Sequence, residues 1–426
     1  MKVFWSVIYN LILYPLLFTG ACIASFFHLK LRQSIKGKFN SISQLKLYFK
    51  NIDSSHIIYW FHSASLGEYH QVLPVLKGLK EVEPEVICIV SFSSPSGYEN
   101  ATSDDIDFRF YIPFDFIWTV RQALKIIRPK KVIFASYDIW PNLIWSLERM
   151  AIHSNIFAAI VKDGSLKSKF GFRSFYKAIY CSITTIYTVA KKDYDRIRNI
   201  VGNRKSPILR SLGNPRYDMV KQSSDEFTNE HQKSVLNRDK RIIIGSAHTE
   251  DDRFLIPVLF SFLQSNPDWK VLYAPHEPNE SEINRIKVLF SDLGIEPSII
   301  RKDTLQLPDD RVVILGVVGV LSKLYWQGMI AYVGGGFSTG IHNVMEPAIA
   351  RLPVIFGPKY HHAHEGEELL KYGGGFCIQH GDEFITKLRH LAFDESYFIK
   401  ASFAATDVIH NNLGSATRII RSLIRD

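Results

Sequence analysis

A chain of 426 residues exceeds what one hydrophobic core organises, so two domains of roughly 150–200 residues each are expected. Hydrophobic residues at 46% and charged residues at 22% are those of an ordinary globular protein, and 25 glycines with 18 prolines exclude a collagen-like or low-complexity chain. The net charge of +9 suits an anionic partner, whether a membrane surface, a nucleic acid or a phosphorylated substrate.

From Val3 to His28 the chain carries no Asp, Glu, Lys or Arg, a run about long enough to cross the hydrocarbon core as a helix. It makes a poor cleavable signal peptide, because only Lys2 precedes the apolar run and the run is long for that purpose. Asn10 and Pro15 weaken a straight spanning helix and leave a tilted or interfacial anchor open. Lys30, Arg32, Lys36 and Lys38 follow directly, which places the downstream body on the cytoplasmic side and offers cations to anionic headgroups. These residues could equally do no more than fix the helix end.

Beyond the anchor, Ile57 to Phe61 is a continuous apolar run, followed by a small-residue loop and an amphipathic helix bearing Val72, Leu73, Leu76 and Leu79. Further strands are predicted in VICIVSFSS, in KKVIFAS, at Ile156 to Val161 and at Thr185 to Val189. Strand, loop and helix in alternation predict a mostly parallel sheet covered on both faces. The stretch 212–240 has few large apolar residues and reads as a linker. After it the alternation restarts in RIIIGSA, KVLYAPH, RVVILG, IAYVGGG and PVIFGP, the pattern of a second doubly wound domain. The expected division is an anchor over 1–30, a first domain over 31–211, the linker, and a second domain over 241–426.

In open parallel sheets ligands collect outside the carboxyl ends of the strands, where helix N-termini and loop amides point. Ser63 to Glu68 places small residues and one carboxylate there, and Glu68 in a dry crevice could act as a general base. A helix-start Glu favoured by the macrodipole is the simpler explanation of that residue taken alone. In the second half, Gly334 to Gly340 follows a strand and leaves room for a phosphate at a helix start, with Glu346 one helical turn beyond His342 on the same face. A tight turn with a capped helix would explain the glycines equally well. His248 and His276 each follow a strand, where an imidazole could donate to phosphate or carboxylate oxygens. The group His361, His362, His364, Glu365 and Glu367 has metal-ligand residue types but no H-E-x-x-H spacing and no cysteine partner, and no metal is expected. Cys22, Cys88, Cys181 and Cys377 form no C-x-x-C pair, which fits a reducing compartment.

Taken in order, these motifs resemble those of the Kdo transferases, which attach 3-deoxy-D-manno-octulosonic acid (Kdo) to lipid A precursors. The resemblance runs through Ser65-Leu66-Gly67-Glu68, Ser93 to Gly97, Ile139-Trp140-Pro141-Asn142, Gly213-Asn214, Ser246-Ala247-His248, and Gly335-Gly336 with His342-Asn343-Val344-Met345-Glu346-Pro347. It implies a GT-B glycosyltransferase fold of two Rossmann-like doubly wound α/β domains behind a hydrophobic N-terminal membrane anchor. It further implies an inverting, metal-independent transfer from CMP-Kdo to a lipid A precursor at the cytoplasmic face of the inner membrane, with no cofactor.

By the same resemblance Glu68 is the catalytic base, and Ser65, Gly67, Asp138 and Asn142 belong to the acceptor side. Ser246, His248, His276, Gly335, Gly336, His342, Asn343 and Glu346 belong to the donor side. The sequence departs from the family at Ala274-Pro275-His276, where Pro-Arg-His is usual, at Asp138 and Ser136, where acidic residues or a longer one are usual, and at Glu250, where Gly is usual. A GT-B transferase using a UDP-sugar and a non-catalytic membrane-bound sugar-nucleotide sensor are the alternatives. Nucleic acid is not expected as a partner, since no concentrated basic stripe with interleaved aromatics occurs.

Overall fold

The computed structural model describes residues 1–425 except 137, 162–163, 166, 168–170, 205, 232–233 and 362. It divides into two units, Met1–Met219 with Gly414–Asp426, and Val220–Leu413.

The first unit holds seven parallel strands, β1 (Ile58–Ser63), β2 (Ile87–Phe92), β3 (Phe108–Tyr111), β4 (Lys131–Ala135), β5 (His153–Ala159), β6 (Thr185–Thr188) and β7 (Ile208–Ser211), in the order β3-β2-β1-β4-β5-β6-β7. The second holds β8 (Arg241–Ala247), β9 (Lys270–Pro275), β10 (Ser298–Ile300), β11 (Val312–Leu315), β12 (Ile330–Val333), β13 (Val354–Phe356) and β14 (Gly375–Cys377), in the order β10-β11-β9-β8-β12-β13-β14. Successive side chains of a strand leave on opposite faces, so each sheet needs cover on both sides. In the first unit Trp60, Val132 and Phe134 enter one apolar cluster while Tyr59, Phe61 and Ile133 enter another. Ile242, Ile244 and Tyr332 are likewise separated from Ile243, Leu272 and Ala331 in the second. The apolar runs read from the sequence are the ten interior strands, and the four remaining strands are the sheet edges.

Strand order reverses at β1/β4 in the first sheet and at β8/β12 in the second. Crossovers leave such a reversal in opposite directions and open a crevice at the carboxyl ends of the two strands. The loops singled out in the sequence, after β1, β4, β8 and β12, are the ones that flank these two crevices.

Both edges of the expected domain division differ. Helix Arg216–His231 runs through the segment read as a linker, and the boundary between units falls inside it, at Met219/Val220. Its polar composition masked a helix supported by the Lys221–Asp225 ion pair at i,i+4. The last helix, Ser415–Arg425, was assigned to the second domain but packs in the first unit, where Ile419, Ile420 and Leu423 join Leu76 and Leu79. Asp218 accepts from the backbone amides of Gly414 and Ala416 at 2.6 and 2.8 Å, satisfying donors that a helix start leaves unpaired.

The apolar N-terminal segment is likewise part of the first unit. It forms helix Lys2–Ile8, a π turn over Tyr9–Leu13 and helix Tyr14–Ala24, the π turn lying just before Pro15, which has no amide to donate.

Because Ile419 is fully buried, Ile419→Ala should destabilise the first unit by about 2–5 kcal/mol. Chemical denaturation of the full chain, followed by the fluorescence of a tryptophan kept only in that unit, measures the change.

Candidate active site

In the first unit β1 ends at Ser63, the chain turns through Ala64 and Ser65, and helix Leu66–Val82 begins. Glu68 lies in its first turn, only 8% exposed, and its Oε2 accepts the Ala64 amide. Burial pushes the Glu68 carboxyl up to about 7, with the Asp138 charge adding to the rise and the Ala64 and Ser65 amides opposing it. Helix-start carboxylates are ordinarily stabilised in their charged form, so dehydration outweighs the macrodipole at this position.

Asp138 follows β4 on the opposite side of the same crevice. Its Oδ2 accepts from His62 Nε2 at 3.0 Å and from Ser93 Oγ at 2.9 Å. Burial pushes this carboxyl up, but the His62 and Ser93 hydrogen bonds and the His62 and Lys38 charges outweigh it and hold the group below the usual range. Two neighbouring carboxyls are thus set apart, one ready to hold a proton and one ionised. Lys38 stands 4.2 Å over the Trp140 ring and is pushed down to about 8 by burial, against the charges of Asp138 and Asp115.

Ser65 is the N-cap of the Glu68 helix, and its carbonyl accepts from Tyr69 N at 3.0 Å and Ser63 Oγ at 2.8 Å. A Cβ on Gly67 would meet nothing nearer than Ser65 Oγ at 3.9 Å, so the glycine keeps the crevice wall open there. Asn142 is placed differently from the other residues expected on the acceptor side. It is 2% exposed, its backbone amide donates to Asp115 Oδ2 at 2.9 Å, and its side chain exchanges hydrogen bonds with Asn10. Asp115 in turn accepts Leu143 N at 3.0 Å and Tyr9 OH at 2.9 Å, which ties the start of helix Pro141–Arg149 to the apolar N-terminal helix. His62, Ser93 and Lys38 are the crevice residues that sequence reasoning did not place there. His62 is hidden in an apolar strand and finds its partner only through the β1/β4 pairing.

In the second unit Ser246, at φ 53°, ends the regular part of β8, and His248 caps helix Thr249–Ser265. Asp251, fully buried, collects three donors: His248 N and Gly335 N at 2.9 Å on Oδ2, and Tyr332 OH at 2.8 Å on Oδ1. The imidazoles converge above it. His248 Nε2 lies 2.8 Å from His342 Nε2, while His276 stacks on both rings at centroid distances of 4.6 and 4.3 Å. Ser338 Oγ holds His248 Nδ1 at 2.9 Å. Burial first, then the charge of His248, pushes His276 below its ordinary value.

Two expectations are corrected here. The glycines after β12 do not form an open phosphate cradle: a Cβ at Gly334 would fall 2.3 Å from the Ser246 carbonyl oxygen and one at Gly336 would fall 2.6 Å from the Gly357 backbone. They let backbones touch, and Gly335, at φ +87°, gives its amide to Asp251. His342 and Glu346 do not share a helical face, because the helix is only Met345–Ile349, preceded by Asn343, whose Oδ1 accepts Met345 N at 3.2 Å. Asn343 Nδ2 donates to Glu346 Oε1 at 2.7 Å, so these two are joined by capping.

Among the described residues, the ring nitrogens close enough to share an ion are those of His248, His276 and His342. His361 is exposed and 3.9 Å from Glu367, and His362 lies outside the described residues.

Residues 34–219 match the family model described as 3-deoxy-D-manno-octulosonic-acid transferase (kdotransferase). The 3-deoxy-D-manno-octulosonic acid transferase of Aquifex aeolicus is 28% identical over 336 residues, covering 78% of this chain and 85% of the relative. That of Chlamydophila psittaci is 24% identical over 363 residues, covering 82% and 81%. Among solved structures, UDP-GlcNAc 2-epimerase from Neisseria meningitidis superposes with a TM-score of 0.63 at 13% identity, over 87% of this chain and 100% of that one. A glycosyltransferase from Rickettsia africae gives 0.57 at 12% identity, over 87% and 97%. These structures share the fold, the two-domain GT-B architecture expected from the motifs.

The raised Glu68 carboxyl has a consequence for stability. An unfolded Glu loses its proton near 4.5 while the folded one holds it to about 7, so stability falls as pH rises through that interval and is flat above it. Glu68→Gln should remove this fall and leave the protein about 3 kcal/mol more stable than wild type at pH 8, equal to it below pH 4.5. Denaturant titrations across that range measure the difference.

Proposed function

We propose that this chain, which is related to the Kdo transferases over most of its length, transfers Kdo from CMP-Kdo to a lipid A precursor, with Glu68 as the general base. It is an enzyme of the Kdo transferase type, a glycosyltransferase of lipopolysaccharide synthesis. The observation that carries the assignment of the base is the pairing of a dehydrated Glu68 with an ionised Asp138 in one crevice.

A sugar hydroxyl is a poor nucleophile until its proton is accepted, and a base works best with a pKa near the working pH. Glu68, at about 7, is ionised in a useful fraction and holds the proton once it has taken it. The Ala64 and Ser65 amides fix the carboxylate at the start of its helix, where it can take the proton of the acceptor hydroxyl. Attack at the anomeric carbon of Kdo from the face opposite the departing phosphate inverts that centre. On the donor side, His276 offers a ring N–H to the phosphate or the Kdo carboxylate, His248 and His342, joined through their Nε2 atoms, hold the stack beside it, and Asn343 with Glu346 suits the hydroxyls of the ribose. The leaving phosphate is stabilised by hydrogen-bond donors held in place before the reaction, without a metal. Ser246, Gly335 and Gly336 act through the backbone, bringing the β8 and β12 loops together so that the imidazoles meet.

Helix Lys2–Ala24 is long and apolar enough to cross a membrane. We place it along the cytoplasmic face of the inner membrane. One side is bound to the folded unit through Trp5 to Ser174, Tyr9 to Asp115 and Asn10 to Asn142, while Val3, Val7, Leu11 and Leu16 are exposed. A helix joined to soluble-domain polar groups at its midpoint cannot put that midpoint in hydrocarbon without taking those groups along. Arg32 closes its end by donating to the Ser25 and Phe26 carbonyls. Leu11→Asp with Leu16→Asp should abolish flotation of the protein with anionic vesicles and leave its folded circular dichroism unchanged.

Glu68→Gln should lower turnover by about 10²–10⁴-fold while CMP-Kdo binding is unchanged. Wild-type kcat should fall on the acid side with an apparent pKa of about 7, and that limb should be absent from the residual activity of the variant. A donor screen of CMP-Kdo against UDP-sugars, with product masses, tests the donor and counts the Kdo units added. Turnover only with a UDP-sugar, or nucleotide binding with no turnover, would replace this reading.

A further inference from the structure

The first unit contains a cavity of about 470 Å³ between the apolar N-terminal helix and the folded body. Tyr14, Leu17, Phe18 and Ala21 of that helix form one wall, and Leu31 and Ile35 of helix Leu29–Tyr48 form part of the other. Its inner end is polar and carries Lys38, Lys167 and Asp138. Asp138 is engaged by His62 and Ser93, and Lys38 lies over Trp140, so the ammonium of Lys38 faces the cavity beside an aromatic floor. The outer end is continuous with the exposed apolar surface of the helix, where Leu16 and Leu17 are exposed.

An apolar cavity that opens beside exposed leucines and carries two ammonium groups and one carboxylate, a net positive charge, has the chemistry of an amphiphile site. A free sugar phosphate would leave the apolar walls wet, and a neutral lipid would bring no further anion to a Lys38 that burial pushes down in spite of the Asp138 and Asp115 charges. The volume lies near the small end of the range for ligand pockets, about 300–1,000 Å³, which is room for one chain. Arginine and lysine near a phosphate form charge-assisted hydrogen bonds, stronger than neutral ones.

We propose that this cavity binds one acyl chain of a phosphorylated amphiphile, with Lys38 and Lys167 on its phosphate. The inference rests on the acceptor reading above only in naming this amphiphile as the acceptor, for Asp138 joins the cavity to the crevice of Glu68. An acceptor held by a chain would present its sugar from the membrane side, with the apolar helix as one wall of its site.

The test uses the full chain and alkyl phosphates from octyl to tetradecyl below their micelle concentrations, with the matching alkyl maltosides and glycerol phosphate as comparison probes. Calorimetry should show one alkyl phosphate per chain, with affinity rising about fourfold per methylene until the cavity is full. Glycerol phosphate should bind at least a hundredfold more weakly. Lys38→Met should weaken dodecyl phosphate tenfold or more and leave dodecyl maltoside unchanged, Lys38→Arg should restore most of the loss, and Ala21→Trp, at a partly exposed helix position, should remove both ligands.

Affinity independent of chain length, or alkyl phosphate binding retained in Ala21→Trp with folded circular dichroism, would overturn the site. The probes need no donor, so the two readings fail separately. Kdo transfer to a lipid acceptor that is indifferent to Ala21→Trp takes the cavity out of the acceptor site and keeps the enzyme. Saturable alkyl phosphate binding in a protein that transfers no Kdo keeps the cavity and removes the acceptor assignment.

Discussion

A parallel sheet whose strand order reverses cannot cover the reversal with its own crossovers, and the loops on either side are left with backbone amides that no ladder satisfies. Each unit meets this constraint with one buried aspartate. Asp251 gathers the His248 and Gly335 amides and the Tyr332 hydroxyl at the β8/β12 reversal. Asp115 gathers the Asn142 and Leu143 amides and the Tyr9 hydroxyl beside the β1/β4 reversal. Both residues are buried, and removal of either would leave several buried donors unpaired, each at about 1–3 kcal/mol. The loops that carry Asp138 and the histidines hold their shape because these carboxylates hold the backbone beneath them.

The same dehydration that acts on a structural carboxylate lets Glu68 hold a proton to about pH 7. Asp115 is pushed up to about 7 by burial although three donors surround it, and Glu68 reaches a similar value with the Ala64 and Ser65 amides on it. Asp138 goes the other way because His62, Ser93 and Lys38 together outweigh its burial. Pairs of carboxyls whose environments push them apart are how a site holds both a proton acceptor and a fixed negative charge at one pH. The fixed charge of Asp138 also raises Glu68, so the pair is one electrostatic unit.

Interior strands were legible in the sequence because a strand covered on both faces is a continuous apolar run, as in IIYW or RIII. The edge strands β3, β7, β10 and β14 were not, since they are three or four residues long and only partly covered, and carry polar residues such as Arg109 and Ser298. Motif order placed Glu68, Asp138, His248 and His342 at the two reversals, because loop residues that follow strands fall there by topology. What the sequence hid was partnership across long separations. Asn142 reads as an acceptor residue by position but is tied to Asn10, 132 residues away. The glycines after β12 read as a cradle, and the neighbouring backbones that fill the space above them come from β8 and β13.

The N-terminal helix shows most clearly why position in sequence and position in the fold differ. By composition it reads as an anchor, and an anchor needs only to be apolar. Tyr9, Asn10 and Tyr14 are poor residues for that purpose, and all three point to the folded unit, where Tyr9 and Tyr14 are buried and Asn10 is half-buried. The π turn over Tyr9–Leu13 shifts the helical phase at those residues, so that Tyr9 and Tyr14 can both reach Asp115 although they are five positions apart. A straight α-helix would turn them about 140° from each other. The shift leaves the polar residues on one side and Leu11, Ile12, Leu16 and Leu17 on the other, and a hydrophobic stretch becomes a two-sided wall. That wall joins the unit that carries Glu68 to an apolar surface through Asp115 and Asn142, the residues that also start the helix after Asp138. Seating the helix and shaping the crevice are therefore one structural event.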